Sequence, residues 1–480
     1  MIVQDSTDAS NTSTIKNSTV VESSSILTSA IVSVAVVLVI VFFAIGYGIH
    51  YLHKSHKTPT KSIVGDFESK IVITIRIKDK TSQVKLIHDS FLKSIKNINI
   101  DNNQTISENS FYFNSTGLHN AIIFFNEPLN NTIDMFFNCH NITEIDLSEL
   151  KTKNLFSTAN MFEGCYELNK VNFDNFDTLL TTDMSSMFKK CYTFTSFEKF
   201  DFSTKRVENI SEMFSNCNNI KYINIDFESQ NINNMNNLFA DCSSLTNVNF
   251  VNLNTNNVND MSNLFYGCSS LKEIDLSKFN TNNVVSMNGM FDGCSKLEKL
   301  SLTNFDTSKV KNMYFMFADC ISLTSLNIDN FKTDNIIDTF AMFQNCSSLT
   351  SVNLQFFNTS NVADMGNMFE NCKTLKTIEV NNFSTYNLNY MNGMFAKCSN
   401  IASISLAGLN TENVEDMSYL FTDCGKLSNI NFTNVNTSNV ENYTDIFKGV
   451  SQSGTIYYSS NYIKEGIVGQ IPPSWNKVNS

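Results

Sequence analysis

Residues 268–294 read CSSLKEIDLSKFNTNNVVSMNGMFDGC, and variants of this phrase fill the chain from Asn138 to Val450. With Cys268 as position 0, the apolar residues Leu271 (+3), Ile274 (+6) and Leu276 (+8) come first. The last two alternate with Glu273, Asp275 and Ser277, the period-two signature of a strand buried on one face. Val284 (+16), Met287 (+19), Met290 (+22) and Phe291 (+23) then fall three, three and one apart, a spacing that predicts a short helix with one apolar face. Phe279-Asn280-Thr281-Asn282-Asn283 separates the two, and Asn and Thr are residues whose side chains bond their own backbone in turns and caps.

The phrase recurs in register. All twelve cysteines stand at position 0: Cys139, Cys165, Cys191, Cys217, Cys242, Cys268, Cys294, Cys320, Cys346, Cys372, Cys398 and Cys424. Every step is 26 residues except Cys217 to Cys242, which is 25. A Phe precedes each Cys by three residues, from Phe136 to Phe421, and Phe447 precedes Val450 in the same way. Equal units too small to bury their own apolar face bury it by stacking. The expected architecture is therefore an α/β solenoid of about twelve strand-turn-helix units over residues 136–450.

Stacking also turns the cysteines into a column. Neighbouring strands lie about 4.7–4.9 Å apart, within the Cα range that a disulfide permits. Cys equally behaves as a small buried hydrophobe, and Val450 takes its place in the last unit without a partner. A reduced, packed structural ladder is the expectation, with a disulfide or metal ladder as the alternative.

The phrase Met287-Asn288-Gly289-Met290-Phe291-Asp292-Gly293-Cys294, with the turn-to-helix phrase Asn358-Thr359-Ser360-Asn361-Val362-Ala363-Asp364-Met365, resembles the repeat of BspA-like leucine-rich-repeat surface proteins, the mycoplasma-type lipoprotein repeat. Gly454-Thr455-Ile456-Tyr457-Tyr458 and the late Trp475 resemble the way such proteins end. The resemblance implies a leucine-rich-repeat-like solenoid, display at a surface, attachment or recognition, and no enzyme activity.

Ahead of the repeats, residues 1–25 are rich in Ser, Thr and Asn and read as a disordered tail. Ile26 to Ile49 is an uncharged apolar run of about 24 residues, long enough to span about 30 Å of hydrocarbon. We expect a single transmembrane helix there, a run that starts too late and is too long for a cleaved signal. Residues 50–64 form a juxtamembrane linker in which His50, His53 and His56 have no carboxylate or Cys beside them to complete a metal site. Lys54, Lys57 and Lys61 place the repeats in the cytoplasm by the positive-inside rule, whereas the family resemblance places them outside. Long domains cross membranes despite modest flanking charge, so the expectation is a single-pass membrane protein with extracellular repeats.

Residues 65–135 lack the repeat and read as a small α/β cap on the first unit. Ile71, Ile73, Ile75 and Ile77 alternate as in a strand, Val84, Ile87, Phe91 and Ile95 fall at helical spacing, and Phe111, Phe113 and Ile122 to Phe125 suggest further strands. Residues 451–480 read as the closing cap, with Trp475 packing into it.

The strand face is the expected binding surface, since solenoids present that side as an extended platform. Its outward positions +5 and +7 are mostly polar, and Asp146, Tyr222, Asp275 and Glu379 are the candidate contact residues for a protein or matrix ligand. Other classes fare worse. The net charge is −12 and the arginines are Arg76 and Arg206, which leaves no basic stripe for nucleic acid. His140 is the only histidine of the array, and no Gly-rich phosphate loop occurs, so neither an imidazole base nor a cofactor cradle is visible. We expect no catalytic residue, no metal and no cofactor.

Overall fold

The computed structural model describes residues 68–197, 202–380 and 383–479, which lie within one unit, Phe67–Ser480. The predicted tail, membrane span and linker (1–25, 26–49 and 50–64) fall outside the described residues. Among the described residues no helix is long and apolar enough to cross a membrane.

The repeats stack as a β-solenoid of about twelve turns, held together on two sides. On one side, short strands pair in parallel with the same positions of the next coil, as in Glu273↔Lys299 and Ile274↔Leu300. On the other, single parallel bridges run without a break from Ser157↔Asp183 to Asp416↔Asn442. Of the positions read as inward in the sixth unit, Leu271, Leu276, Val284, Met287, Met290 and Phe291 are buried, and Ile274 is half-buried. The Phe at −3 builds the spine of the core. From Phe136 to Phe447 the rings stack on one another with centroids 5.4–6.2 Å apart and planes 3–21° from parallel.

The predicted helix of each unit does not form, and the array is β rather than α/β. In the sixth unit the N–H groups of Met290, Asp292 and Cys294 donate to the carbonyls three residues back, Met287, Gly289 and Phe291. The N–H groups between them, on Met287, Gly289, Phe291 and Gly293, donate instead to Asn312, Tyr314, Met316 and Ala318 of the next coil. A helix would consume all of these donors within its own segment; here every second one knits two coils. The cause lies at positions −5 and −1, which take positive φ in every coil, for example Asn263 at 52°, Gly267 at 67° and Asn367 at 54°. Two left-handed residues four apart fold the segment into successive tight turns and prevent a right-handed helix. The only α-helix among the described residues is the six-residue Glu465–Gln470.

The amino-terminal cap joins the solenoid edge to edge. Ser69–Ile77 runs antiparallel to Gly117–Phe125 on one side and to Ile142–Asp146 of the first coil on the other. Ile142–Asp146 then pairs in parallel with Lys170–Asn172. Ile71, Ile73, Ile75 and Ile77 are buried against the first coil's open face, as their alternation requires. The helix expected between Val84 and Ile95 is absent: Val84–Lys85 pairs with Ser110–Phe111, and Asp89–Phe91 makes one 3-10 turn. Helical spacing still buries Val84, Ile87, Phe91 and Ile95, but Leu86 N–H donates to Asn109 and His88 N–H to Met135, so the backbone donors are spent on distant partners. At the other end Thr455–Tyr458 continues the parallel ladder and Asn476–Asn479 adds a further strand to it. Trp475 is buried there and donates its indole N–H to Ser451 O at 2.8 Å.

The short fourth unit keeps the register. Ser229 stands where other coils carry Thr, is fully buried, and donates its hydroxyl to Val207 O. The bridges Asn209↔Asn234 and Asn234↔Asp260 are unbroken, and the missing residue shows only as the widest ring spacing of the spine, 6.2 Å between Phe214 and Phe239.

Candidate interaction surface

Shallow depressions on the strand face are lined by the four candidate residues. One, about 740 Å³, runs over four coils and includes Tyr222, Asn247, Asn249, Glu273, Asp275 and Lys299. A second, about 550 Å³, holds Glu379 beside Asn353 and Thr377, and a third, about 350 Å³, holds Asp146 with Glu144 and Lys170. The four residues do not converge on one point. Tyr222 and Asp275 share a depression, whereas Asp146 and Glu379 belong to coils far along the stack.

Local geometry accounts for the Asp/Asn column at +7. Asp146 accepts the N–H of Ser148 at 2.9 Å, and Asp275 accepts that of Ser277 at 2.9 Å. Asn327 and Asn353 do the same with the residues two positions on. These are Asx turns that end the strand. Hydrogen bonds from Ser277, side chain first and backbone second, hold the Asp275 carboxyl below the usual range. Asp and Asn at +7 are thus explained as turn formers, whereas Tyr222 at +5 and Glu379 at +7 are not of the residue types that make such turns.

The twelve cysteines are buried and free of disulfides. From Cys165 to Cys424 each thiol donates to the carbonyl of the −3 Phe of the preceding coil, at 3.0–3.3 Å. That carbonyl also accepts the N–H of its own coil's Cys, as Phe265 O does from Cys268, so the S–H occupies its second lone pair. Burial pushes the thiols up, Cys217 and Cys424 to about 12, which keeps them protonated donors rather than nucleophiles. Among the described residues no three His, Cys, Asp or Glu side chains are grouped to hold a metal ion.

Two further ladders escape a reading based on hydrophobic period alone. The Thr at +13 ties its coil to the next through both roles of its hydroxyl: the buried Thr307 donates its Oγ1 hydrogen to Lys332 O and accepts the Lys332 N–H, both at 2.8 Å. The Asn at +15 reaches back to the preceding coil, as Asn283 Nδ2 does to Asn256 O at 2.7 Å and Asn361 Nδ2 to Asp334 O at 2.6 Å. The Thr-x-Asn-Val phrase itself was the available signal. At +1 the rings of His140, Tyr166 and Tyr192 stack on the surface, with centroids 4.1 and 4.9 Å apart.

A family model matches residues 130–249, 233–352 and 341–457, well over half of the chain. The chain belongs to the family described as "Mycoplasma protein of unknown function, DUF285". The mycoplasma-type repeat read in the sequence lies within these matched residues. No curated protein matches this DUF285 chain. Among solved structures it is similar to a leucine-rich repeat protein from Bacteroides ovatus, at 19% identity and a TM-score of 0.43, covering 72% of this chain and 86% of that one. A leucine-rich repeat protein from Eubacterium ventriosum follows at 16% identity and a TM-score of 0.30, with 65% and 83% covered. The functional domain of InlJ from Listeria monocytogenes, described as including a cysteine ladder, matches at 15% identity and a TM-score of 0.14, with 62% and 70% covered.

Proposed function

We propose that this protein is a membrane-anchored surface protein whose solenoid recognises a protein or matrix ligand without catalysis. The observation that carries the reading is the strand face, where short parallel sheets of neighbouring coils present one depression of about 740 Å³ that joins Tyr222 and Asp275. Shallow, polar and long, such a surface suits an extended macromolecule better than a small substrate, which is held in a concave, mostly apolar pocket. The anchor is the apolar run Ile26 to Ile49, and display outside the cell follows the surface proteins that the repeat resembles.

A cytoplasm-facing scaffold is the second reading, favoured by Lys54, Lys57 and Lys61 after the span. Epitope tags before Ile26 and after Ser480, probed with protease on intact cells, separate the two. Access to the carboxy-terminal tag supports the surface protein; access to the amino-terminal tag alone overturns it in favour of the scaffold. Recognition is tested by Tyr222→Ala together with Glu273→Lys on the displayed protein. Loss of attachment to ligand-coated or cell surfaces is expected, and unchanged attachment with the fold intact would remove the depression at Tyr222 from the reading.

A further inference from the structure

On the strand side, a hydroxyl at +13 and an amide at +10 tie one coil to the next. Between coils six and seven, Thr281 donates to Asp306 O and accepts the Asp306 N–H, both at 2.8 Å. Asn304 adds bonds to Leu276 O at 3.0 Å and Phe279 O at 2.7 Å. The next joint repeats this with Thr307 and with Asn330, whose amide reaches Leu302 O and Phe305 O. Such ties persist where the strands stop pairing: Asn247–Phe250 and Glu273–Ile274 belong to different sheets, yet Thr255 still bonds Asn280 through both roles of its hydroxyl.

That pattern fails between coils eight and ten. Thr333 is 2% exposed, and among the described residues its Oγ1 is the one buried side-chain atom without a hydrogen-bond partner. Coil nine carries Phe356 at +10, where coils seven and eight carry Asn304 and Asn330, and its ring stands 65% exposed. In coil ten residues 375–380 form no strand, so the parallel ladder stops at Ser351–Val352 and resumes at Ser403–Ser405. Side chains such as Thr359, to Ser384 O, and Thr374, to Ser347 O, still cross from coil nine to coil ten, but strand pairing does not. The turn side has no such gap. Bridges link Asp338 to Asp364, Asp364 to Tyr390 and Tyr390 to Asp416, and Met365 N–H donates to Tyr390 O at 2.9 Å. The rings of Phe343, Phe369 and Phe395 stack at 5.5 and 5.9 Å. Sparsely bonded on one side and continuously bonded on the other, this stretch is built to open about the turn side.

We propose that coils eight to ten form a hinge in the solenoid: the strand side opens and closes there, the turn side stays knitted, and the strand face bends as two stiff platforms. The depression of about 550 Å³ that holds Glu379 also includes Ser351, Asn353 and Thr377, so it lies on the hinge and widens as the strand side opens. The hinge is a motion of that face and stands whether or not the face binds a ligand.

Pairs of spin labels on the full chain in detergent, read by pulsed electron resonance, measure the motion. Lys299→Cys with Asn429→Cys spans the hinge at +5, five coils apart, or about 24 Å at about 4.8 Å per coil. Lys170→Cys with Lys299→Cys covers as many coils before the hinge, and Lys311→Cys with Glu441→Cys spans it on the turn side. These positions are exposed and the native thiols buried, so the introduced thiols take the label. The distance distribution of the first pair should be roughly twofold or more broader than that of the second, and the turn-side pair should match the second. Phe356→Asn puts back the amide that Asn304 and Asn330 use and should narrow the first distribution. Thr333→Val should not lower the denaturation midpoint, because its hydroxyl has no bond to lose, whereas Thr307→Val should. Equal widths for all three pairs, a turn-side pair as broad as the first, no narrowing with Phe356→Asn, or equal losses from the two Thr→Val changes would each overturn the proposal.

Discussion

The residues that decide the shape of each coil are the two with positive φ, at −5 and −1. Asn, Asp and Gly dominate there because a short polar side chain or none tolerates the left-handed region. Gly293 makes the point most sharply: its φ is 74°, and a Cβ placed on it would lie 3.3 Å from the backbone of Gly267 in the preceding coil. Gly293→Ala is expected to destabilise the protein by about 1–2 kcal/mol, read from chemical denaturation. Its neighbour Asp292 titrates unusually. Burial first, and the nearby Asp319 second, raise its carboxyl to about 7 from an ordinary 3.8. The folded state then holds a proton that the unfolded chain releases, so this group's contribution is fully present below about 3.8 and is lost as the pH rises through about 7. Melting temperatures from pH 5 to 8 should fall less steeply in Asp292→Asn than in the wild type; identical slopes would show that Asp292 is not the titrating group.

At the scale of the element, a coil is closed by few hydrogen bonds of its own and tied to its neighbours by many. Thr307 gives the cleanest test, because Val has the same shape and no hydroxyl. Thr307→Val removes both bonds to Lys332 and leaves a part-buried N–H and C=O each short of a partner, and a loss of about 1–2 kcal/mol is expected. A value near zero would mean that the ladder only accompanies packing. This scale also shows where sequence reasoning reached its limit. The strand was legible from Ile274 and Leu276 against Glu273 and Asp275, and the stack from the even spacing of the cysteines. The helix was misread because Met287, Met290 and Phe291 turn inward in consecutive tight turns much as they would on a helix face; side-chain period does not report where backbone donors go. The contrary signal was the Asn, Asp or Gly recurring before Cys at Asn138, Gly164, Asn216 and Asp241, a backbone cue inside an apolar pattern. Of the candidate surface, the face was legible, yet Asp146 and Asp275 proved to have a turn-forming duty that composition alone does not separate from recognition.

For the whole molecule, stability is a sum over coils and the contacts between adjacent ones. The same donors, Phe stack, thiol and Thr recur at each step, so one coil can be removed without creating an interface the stack lacks. Deleting residues 269–294 joins Cys268 to Ser295 and brings Phe265 against Phe317 in the register that Phe265 and Phe291 now share. The shortened chain should unfold cooperatively, with its denaturant m-value reduced in proportion to the surface removed. Inserting about five residues after Ile274 is the opposite case, although it removes nothing. An odd shift turns Leu276 from the core to solvent and ends the register of the coil just past the pairing of Ile274 with Leu300. The buried thiols report the difference without knowledge of a ligand. With a thiol reagent under native conditions, the deletion variant should stay unlabelled, whereas the insertion variant should label first at Cys268 and Cys294, on either side of the break. Labelling of the deletion variant with silence in the insertion variant would contradict a stack of equivalent coils, because a chain of that kind tolerates the loss of a whole unit better than a shift within one.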